Sequence, residues 1–191
     1  MTASQPEPTV ETQTLFEGKV VKLRVDKVRL PNGRLATREI VEHSQAVCIV
    51  PVDGQGNVLL VRQYRKPVEV ELLEAPAGGM DDGETPEEAA LRELQEEIGF
   101  TAGTLRLLSS TWVAPGWCTE FMHSYLATDL KPARMAPDDD ENISVVPVPL
   151  DRIPELIDNG EILDLKSVAS LLLALRLLGI GGKDPAVPGL R

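Results

Sequence analysis

Residues 78–100 read Gly-Gly-Met-Asp-Asp-Gly-Glu-Thr-Pro-Glu-Glu-Ala-Ala-Leu-Arg-Glu-Leu-Gln-Glu-Glu-Ile-Gly-Phe. Thr85 is a good N-cap, Pro86 suits the first helical position, and Glu88 completes a capping box with Thr85. Gly99 is the expected C-terminal stop. Together these signals predict a helix from Pro86 to Ile98. At 100° per residue, Leu91, Leu94 and Ile98 fall on one face, with Ala90 at its edge. Glu93 and Glu97 lie on the opposite face at i, i+4, and Glu96 sits beside them. Like charges at that spacing repel, so a bare helix is weakened by them and a bound cation would reverse the sign. Oxygen donors with no His or Cys nearby favour magnesium or manganese over zinc. A run of acids is also what a solvated helix face looks like. Two details argue for a built site instead. Arg92 stands among the acids, where it can tie a carboxylate in place, and the Gly78–Gly79 pair lets backbone approach a bound group.

The rest of the chain bounds the reading. Its 191 residues suffice for one domain with a sizeable core. The net charge is −11 with no basic block, which argues against a dedicated nucleic-acid binder. An anionic substrate is still compatible with that charge if metal ions supply the local positive field. Cys48 and Cys118 read as buried free thiols rather than a bridge or a metal pair. Met1 to Thr14 is polar and proline-containing, unlike a signal peptide. The longest apolar run, Val168 to Leu178, is too short to span a bilayer and is broken by Ser170 and Arg176. These features predict a soluble, cytoplasmic protein with no membrane partner.

Along the chain, residues 1–14 read as a disordered tail and 181–191, rich in Gly and Pro, as another. Strands are expected at 19–30, 35–42, 46–52, 58–64, 71–75, 105–113, 120–127 and 143–148. The Pro31-Asn32-Gly33 turn joins the first two. Helices are expected at 151–159 and 165–178, the latter apolar almost all round and therefore buried. Mixed strands with one central and two terminal helices indicate an α/β sandwich.

Gly78, Glu84, Arg92, Glu93, Leu94, Glu96, Glu97, Gly99 and Phe100 together resemble the Nudix box, with Phe100 an aromatic where an aliphatic is more usual. The resemblance implies the Nudix fold, a mixed β-sheet sandwiched between helices. It makes 43–180 the hydrolase domain and 15–42 an N-terminal antiparallel β extension that packs across a homodimer partner. It also implies a hydrolase of a nucleoside diphosphate linked to another group.

Further segments resemble the ADP-ribose pyrophosphatase branch. These are Arg62-Gln63-Tyr64-Arg65-Lys66-Pro67 followed by Glu74-Ala75-Pro76-Ala77-Gly78, then Pro115 with Gly116 and Glu120, and the run at 161–168. Ala75 departs from that branch, where a larger apolar residue is usual. The branch implies magnesium-dependent cleavage of ADP-ribose to AMP and ribose 5-phosphate, with manganese as an alternative ion. The rivals are a diphosphatase for another nucleotide sugar, of GDP-mannose or ADP-glucose type, and a non-catalytic ligand sensor, whose usual mark would be a damaged box.

By the same resemblance, Glu93, Glu96, Glu97 and the Ala77 carbonyl are the metal ligands. Glu84 supports them from behind and Arg92 orients them. Glu141, in the acidic loop at 138–142, is the base or a further metal contact, with Asp139 as runner-up. Arg65 suits a diphosphate or terminal-ribose contact, because a guanidinium fork matches phosphate oxygens. Arg38, Glu74 and Gly116 complete the expected substrate contacts, and Phe16 is the candidate to stack the base. His43, His123, Trp112 and Trp117 read as structural.

Overall fold

The computed structural model describes residues 6–133, 135 and 142–180. It forms two compact units. One comprises the chain up to Ala46 together with Thr111–Met122, and the other comprises Val47–Ser110 and the chain from His123 onward.

The first unit is built on a three-stranded antiparallel sheet of β1 (Thr9–Glu17), β2 (Val21–Arg29) and β3 (Leu35–His43), with β2 central. Gly33, at φ 82°, supplies the left-handed turn between β2 and β3. The existence of β1 corrects the expectation of a tail through residue 14. Its Thr, Val and Phe residues are strand formers. They pair with β2 from Thr9↔Val28 to Glu17↔Lys22, so the backbone finds its partners even though every side chain of β1 is exposed. A strand with no buried face leaves no alternation to read.

The second unit holds two sheets, ordered β10-β5-β6 and β7-β4-β9-β8. Their strands are β4 (Ala46–Pro51), β5 (Asn57–Arg65), β6 (Val70–Glu74), β7 (Ala77–Gly79), β8 (Phe100–Trp112), β9 (Phe121–Pro132) and β10 (Ile143–Pro149). Strand β4 is buried at all six positions. The period of two explains this. Val47 and Ile49 join Ala89, Ala90, Leu94 and Ile98 of the central helix in one core cluster. Cys48, pointing the other way, lies under Lys166 of the last helix. Strand β9 repeats the pattern: Tyr125 and Ala127 join the first cluster, while Ser124 accepts a hydrogen bond from Ser170 at 2.9 Å. Helices thus cover both faces of this sheet, as the Nudix-like reading requires.

Helix α1 (Pro86–Glu93) begins as its sequence dictates. Glu88 N–H donates to Thr85 Oγ1, and the Glu88 carboxylate accepts from Thr85 N–H. The helix does not continue as a plain α-helix. Leu94–Ile98 forms a π-helical turn closed by Gly99 at φ 76°, whose N–H bonds to the Leu94 carbonyl. Helix α2 (Ile153–Asp158) follows a short 3-10 turn at Leu150–Arg152. Helix α3 (Leu165–Leu178) has the expected bounds but is not buried all round. It buries Ser167, Ser170, Leu171, Ala174 and Leu175 and leaves Leu165, Leu172 and Leu178 exposed. The small polar serines, not the leucines, occupy part of its inner face because Ser124 and the Ala75 N–H stand opposite them.

Candidate active site

Glu84, Glu93 and Glu96 converge on one guanidinium. Arg92 Nε and Nη2 donate to Glu84 at 2.8 and 2.9 Å, and Nη1 donates to Glu93 at 2.7 Å and Glu96 at 2.9 Å. Nη2 also reaches the Gly79 carbonyl at 2.8 Å, and Glu84 accepts from the Asp81 N–H at 2.9 Å. Arg92 therefore ties the glycine loop, the helix start and the π turn together. Its bond holds the Glu84 carboxyl below its usual range. Glu97 is turned the other way along the same edge and accepts from the Ala77 N–H at 3.1 Å. Glu93 and Glu97 are each 7% exposed, far too buried for a solvated helix face.

Gly78 explains part of this closeness. A Cβ built there would overlap the Glu93 carboxylate, so glycine lets the β7 backbone lie against that side chain where any larger residue would make the carboxylate move. This is where the expected glycine requirement is met, although the group that approaches is a protein carboxylate.

The donor set suits a hard divalent cation. Glu84, Glu93, Glu96 and Glu97 bring four carboxylates and Arg92 one positive charge, so the cluster keeps an excess of negative charge that such a cation would offset. Among the described residues, no three acidic, His or Cys groups already stand at metal-ligand geometry. Their oxygens are engaged by Arg92 and by the Ala77 N–H. Glu141 and Asp139 lie outside the described residues.

Strands β5 and β6 carry a second cluster. Arg65 grips Glu74 with a fork of 2.9 and 2.8 Å, and Lys166 Nζ bonds the same carboxylate and Asp164, the latter at 2.8 Å. Burial pushes the Glu74 carboxyl up, but the Arg65 fork and the Lys166 charge outweigh it and hold it below its usual range. Glu74, expected among the substrate contacts, is 1% exposed, and its oxygens accept from Arg65 and Lys166. Arg65 keeps 37% of its side chain exposed and stands in the field of Glu97. Lys166 and Asp164 were not legible as site residues. Their only signal was their place in the run at 161–168.

In the first unit, Arg38 and Gly116 come together in a shallow groove with Arg24, Ile40, Pro115 and Trp117. Arg38 is paired there with Glu7 at 2.9 and 2.7 Å. Phe16 is not part of that groove, and its ring lies against Gly18. Trp117 is 57% exposed, unlike a packing residue, whereas Trp112 makes an edge contact with Phe121 at 4.7 Å. His43 bonds the Ser44 carbonyl and His123 bonds Ser110, each through the ring, in keeping with structural roles. Cys48 is buried and free, its thiol pushed up to about 11 by burial, and Cys118 is free but only half-buried.

Residues 42–169 match the family model for the NUDIX domain. The chain belongs to the Nudix family. Residues 7–41 match a separate model, the nucleoside diphosphate sugar hydrolase N-terminal domain. The chain is 38% identical over 170 residues to an ADP-ribose pyrophosphatase of Bacillus subtilis, covering 88% of this chain and 92% of that one. It is 39% identical over 167 residues to a methanol dehydrogenase activator of Bacillus methanolicus, covering 86% and 90%. A solved structure described as an ADP compounds hydrolase superposes with a TM-score of 0.86 at 27% identity, covering 94% of this chain and 97% of that one. Nudix hydrolases generally use divalent metal ions, in keeping with the acidic helix. Among the described residues, no helix is long and apolar enough to cross a membrane.

Proposed function

We propose that this Nudix hydrolase cleaves the diphosphate of ADP-ribose with water, giving AMP and ribose 5-phosphate, and that it uses magnesium, with manganese as a substitute. The observation that carries the reading is the unbalanced carboxylate cluster on α1 and the π turn, standing beside the exposed guanidinium of Arg65. Two relatives named ADP-ribose pyrophosphatase, each 38% identical over most of this chain, support ADP-ribose, and relatives named GDP-mannose pyrophosphatase support the alternative.

Glu93, Glu96, Glu97 and the Ala77 carbonyl would hold the cation. Such an ion supplies neutralisation of the diphosphate and a water acidic enough to attack phosphorus near neutral pH. Arg92 keeps the carboxylates from drifting apart. Arg65 binds the diphosphate or the terminal ribose phosphate. Glu141 accepts the proton of the attacking water as one phosphorus–oxygen bond forms and the bridging one breaks. Arg38 and Gly116, which share a groove of the first unit, are further substrate contacts in this reading. Trp117 replaces Phe16 as the stacking aromatic in this reading, because it lies on the same groove as Arg38.

The N-terminal sheet is read as the interface of a cytoplasmic homodimer. Val10, Leu15, Phe16 and Val20 are each at least half exposed there, an apolar set that a second copy would cover. Light scattering on the wild type and on F16E tests this, and a monomeric wild type refutes it.

Steady-state kcat/KM over ADP-ribose, ADP-glucose, GDP-mannose and ATP, each with magnesium, tests the substrate. ADP-ribose is expected to lead the panel. A lead for GDP-mannose or ADP-glucose would favour the other nucleotide-sugar reading, and a lead for ATP would overturn both.

A further inference from the structure

Glu74 combines a negative charge with almost complete burial, and two cations from different elements hold it. Arg65 comes from β5, with bonds at 2.9 and 2.8 Å, and Lys166 comes from the first turn of α3. Lys166 also bonds Asp164 at 2.8 Å, and Asp164 caps α3 by accepting from the Ser167 N–H at 3.0 Å. Ser167 Oγ in turn accepts from the Ala75 N–H at 2.8 Å. The start of α3 is therefore fixed to two consecutive residues just upstream of the glycine loop.

Two cations and two carboxylates make this network neutral. Its members differ in exposure: Arg65 is 37% exposed, Lys166 18% and Glu74 2%. Both Arg65 Nη2 and Lys166 Nζ use the same Glu74 oxygen, so three donors fix the plane of that carboxylate, and the carboxylate fixes the fork of Arg65. Without Lys166, Glu74 and Asp164 would be left as two enclosed carboxylates with Arg65 as their shared cation, and Arg65 already feels the charge of Asp164. The guanidinium would then be drawn toward the interior.

We propose that Lys166 is a positioning residue: acting through Glu74, it holds the Arg65 guanidinium at the height needed to meet substrate. This rests on the reading of Arg65 as a diphosphate or terminal-phosphate contact.

The test is steady-state hydrolysis of ADP-ribose with magnesium by the wild type, R65M, K166M, K166R and the R65M/K166M double variant. K166M is expected to raise KM about tenfold, with kcat and the magnesium half-saturation little changed. K166R should recover most of the loss. The double variant should be no worse than R65M, because the effect of Lys166 runs through Arg65. Losses that add, or a fall in kcat with KM unchanged, would overturn the proposal. If R65M itself leaves KM unchanged, the substrate contact assigned to Arg65 has failed and the role of Lys166 falls with it. If R65M raises KM and K166M does not, only the role of Lys166 fails. Should K166M not fold, as read from its thermal melt, K166Q takes its place, since it removes the charge that Lys166 brings to Glu74 while keeping a polar side chain. A KM rise in K166Q supports the proposal, and an unchanged KM overturns it.

Discussion

Two clusters of charge lie on either side of the Glu74–Gly79 segment, and they are built on opposite principles. On the helix side, Glu84, Glu93 and Glu96 accept from Arg92, and Glu97 accepts from the Ala77 N–H. On the strand side, Arg65 and Lys166 match Glu74 and Asp164 one for one. A balanced buried network is self-sufficient, and its removal costs stability. An unbalanced one keeps a demand for positive charge, and its removal costs function. On the proposed reading, the helix side would hold the cation, while the strand side holds Arg65 in place.

The largest expected effect would break this contrast outright. E97Q should lower kcat by about 10³-fold while the melting temperature stays level or rises, because a like-charge repulsion is relieved. Initial rates and calorimetry measure both, and an active E97Q would remove the acidic cluster from the chemistry. E74Q should behave in the opposite way. Taking the charge from a buried pair should cost about 3 kcal/mol, which is a drop of about 10 °C in Tm for a chain of this size. A wild-type melt in E74Q would show that the strand-side network is ornamental. G78A sharpens the contrast on the helix side. Its new methyl group must push the Glu93 carboxylate away, at a cost of about 1–3 kcal/mol. The expected signature is lost activity at saturating magnesium, with a fall in Tm of about 3–10 °C.

The smallest effect concerns acid. Glu74 and Glu84 titrate below the ordinary glutamate value of 4.5 in the folded chain. A depressed carboxyl contributes stability that is present above its unfolded pKa and is lost as pH falls through its folded pKa. Urea unfolding should therefore be nearly flat from pH 7 to about 5 and weaken below that. E74Q should weaken less steeply over the same range, and parallel curves would deny Glu74 its ionised role.

Local signals made the central helix readable. Thr85, Pro86, Glu88 and Gly99 each act within a few residues, and both ends of the helix fell where they placed them. The π turn at Leu94–Ile98 was not readable, because it puts one more residue into a turn without changing the residues that signal start and stop. The strand β1 was missed for want of a buried face. The burial of α3 was overestimated, since leucine content reports what a helix can bury and not what stands opposite it. The pairing of Glu74 with Lys166 was not readable for a related reason: the two lie 92 residues apart in sequence, and no spacing rule connects them. The glutamates proposed as metal ligands, by contrast, sit within one stretch of helix, so their nearness to one another was legible from spacing alone.

The attachment of α3 also bears on how the enzyme is made. Ribosomal synthesis runs from the N-terminus, so the whole of 78–100 emerges more than sixty residues before Lys166 and Ser167 are added. Until then Glu74 and the Ala75 N–H lack the partners that α3 supplies. The acidic helix can form early by its own capping, but the strand that presents Arg65 is locked only when the last helix arrives. On the proposed reading, the surface that presents Arg65 is completed only after residues 166 and 167 have been made.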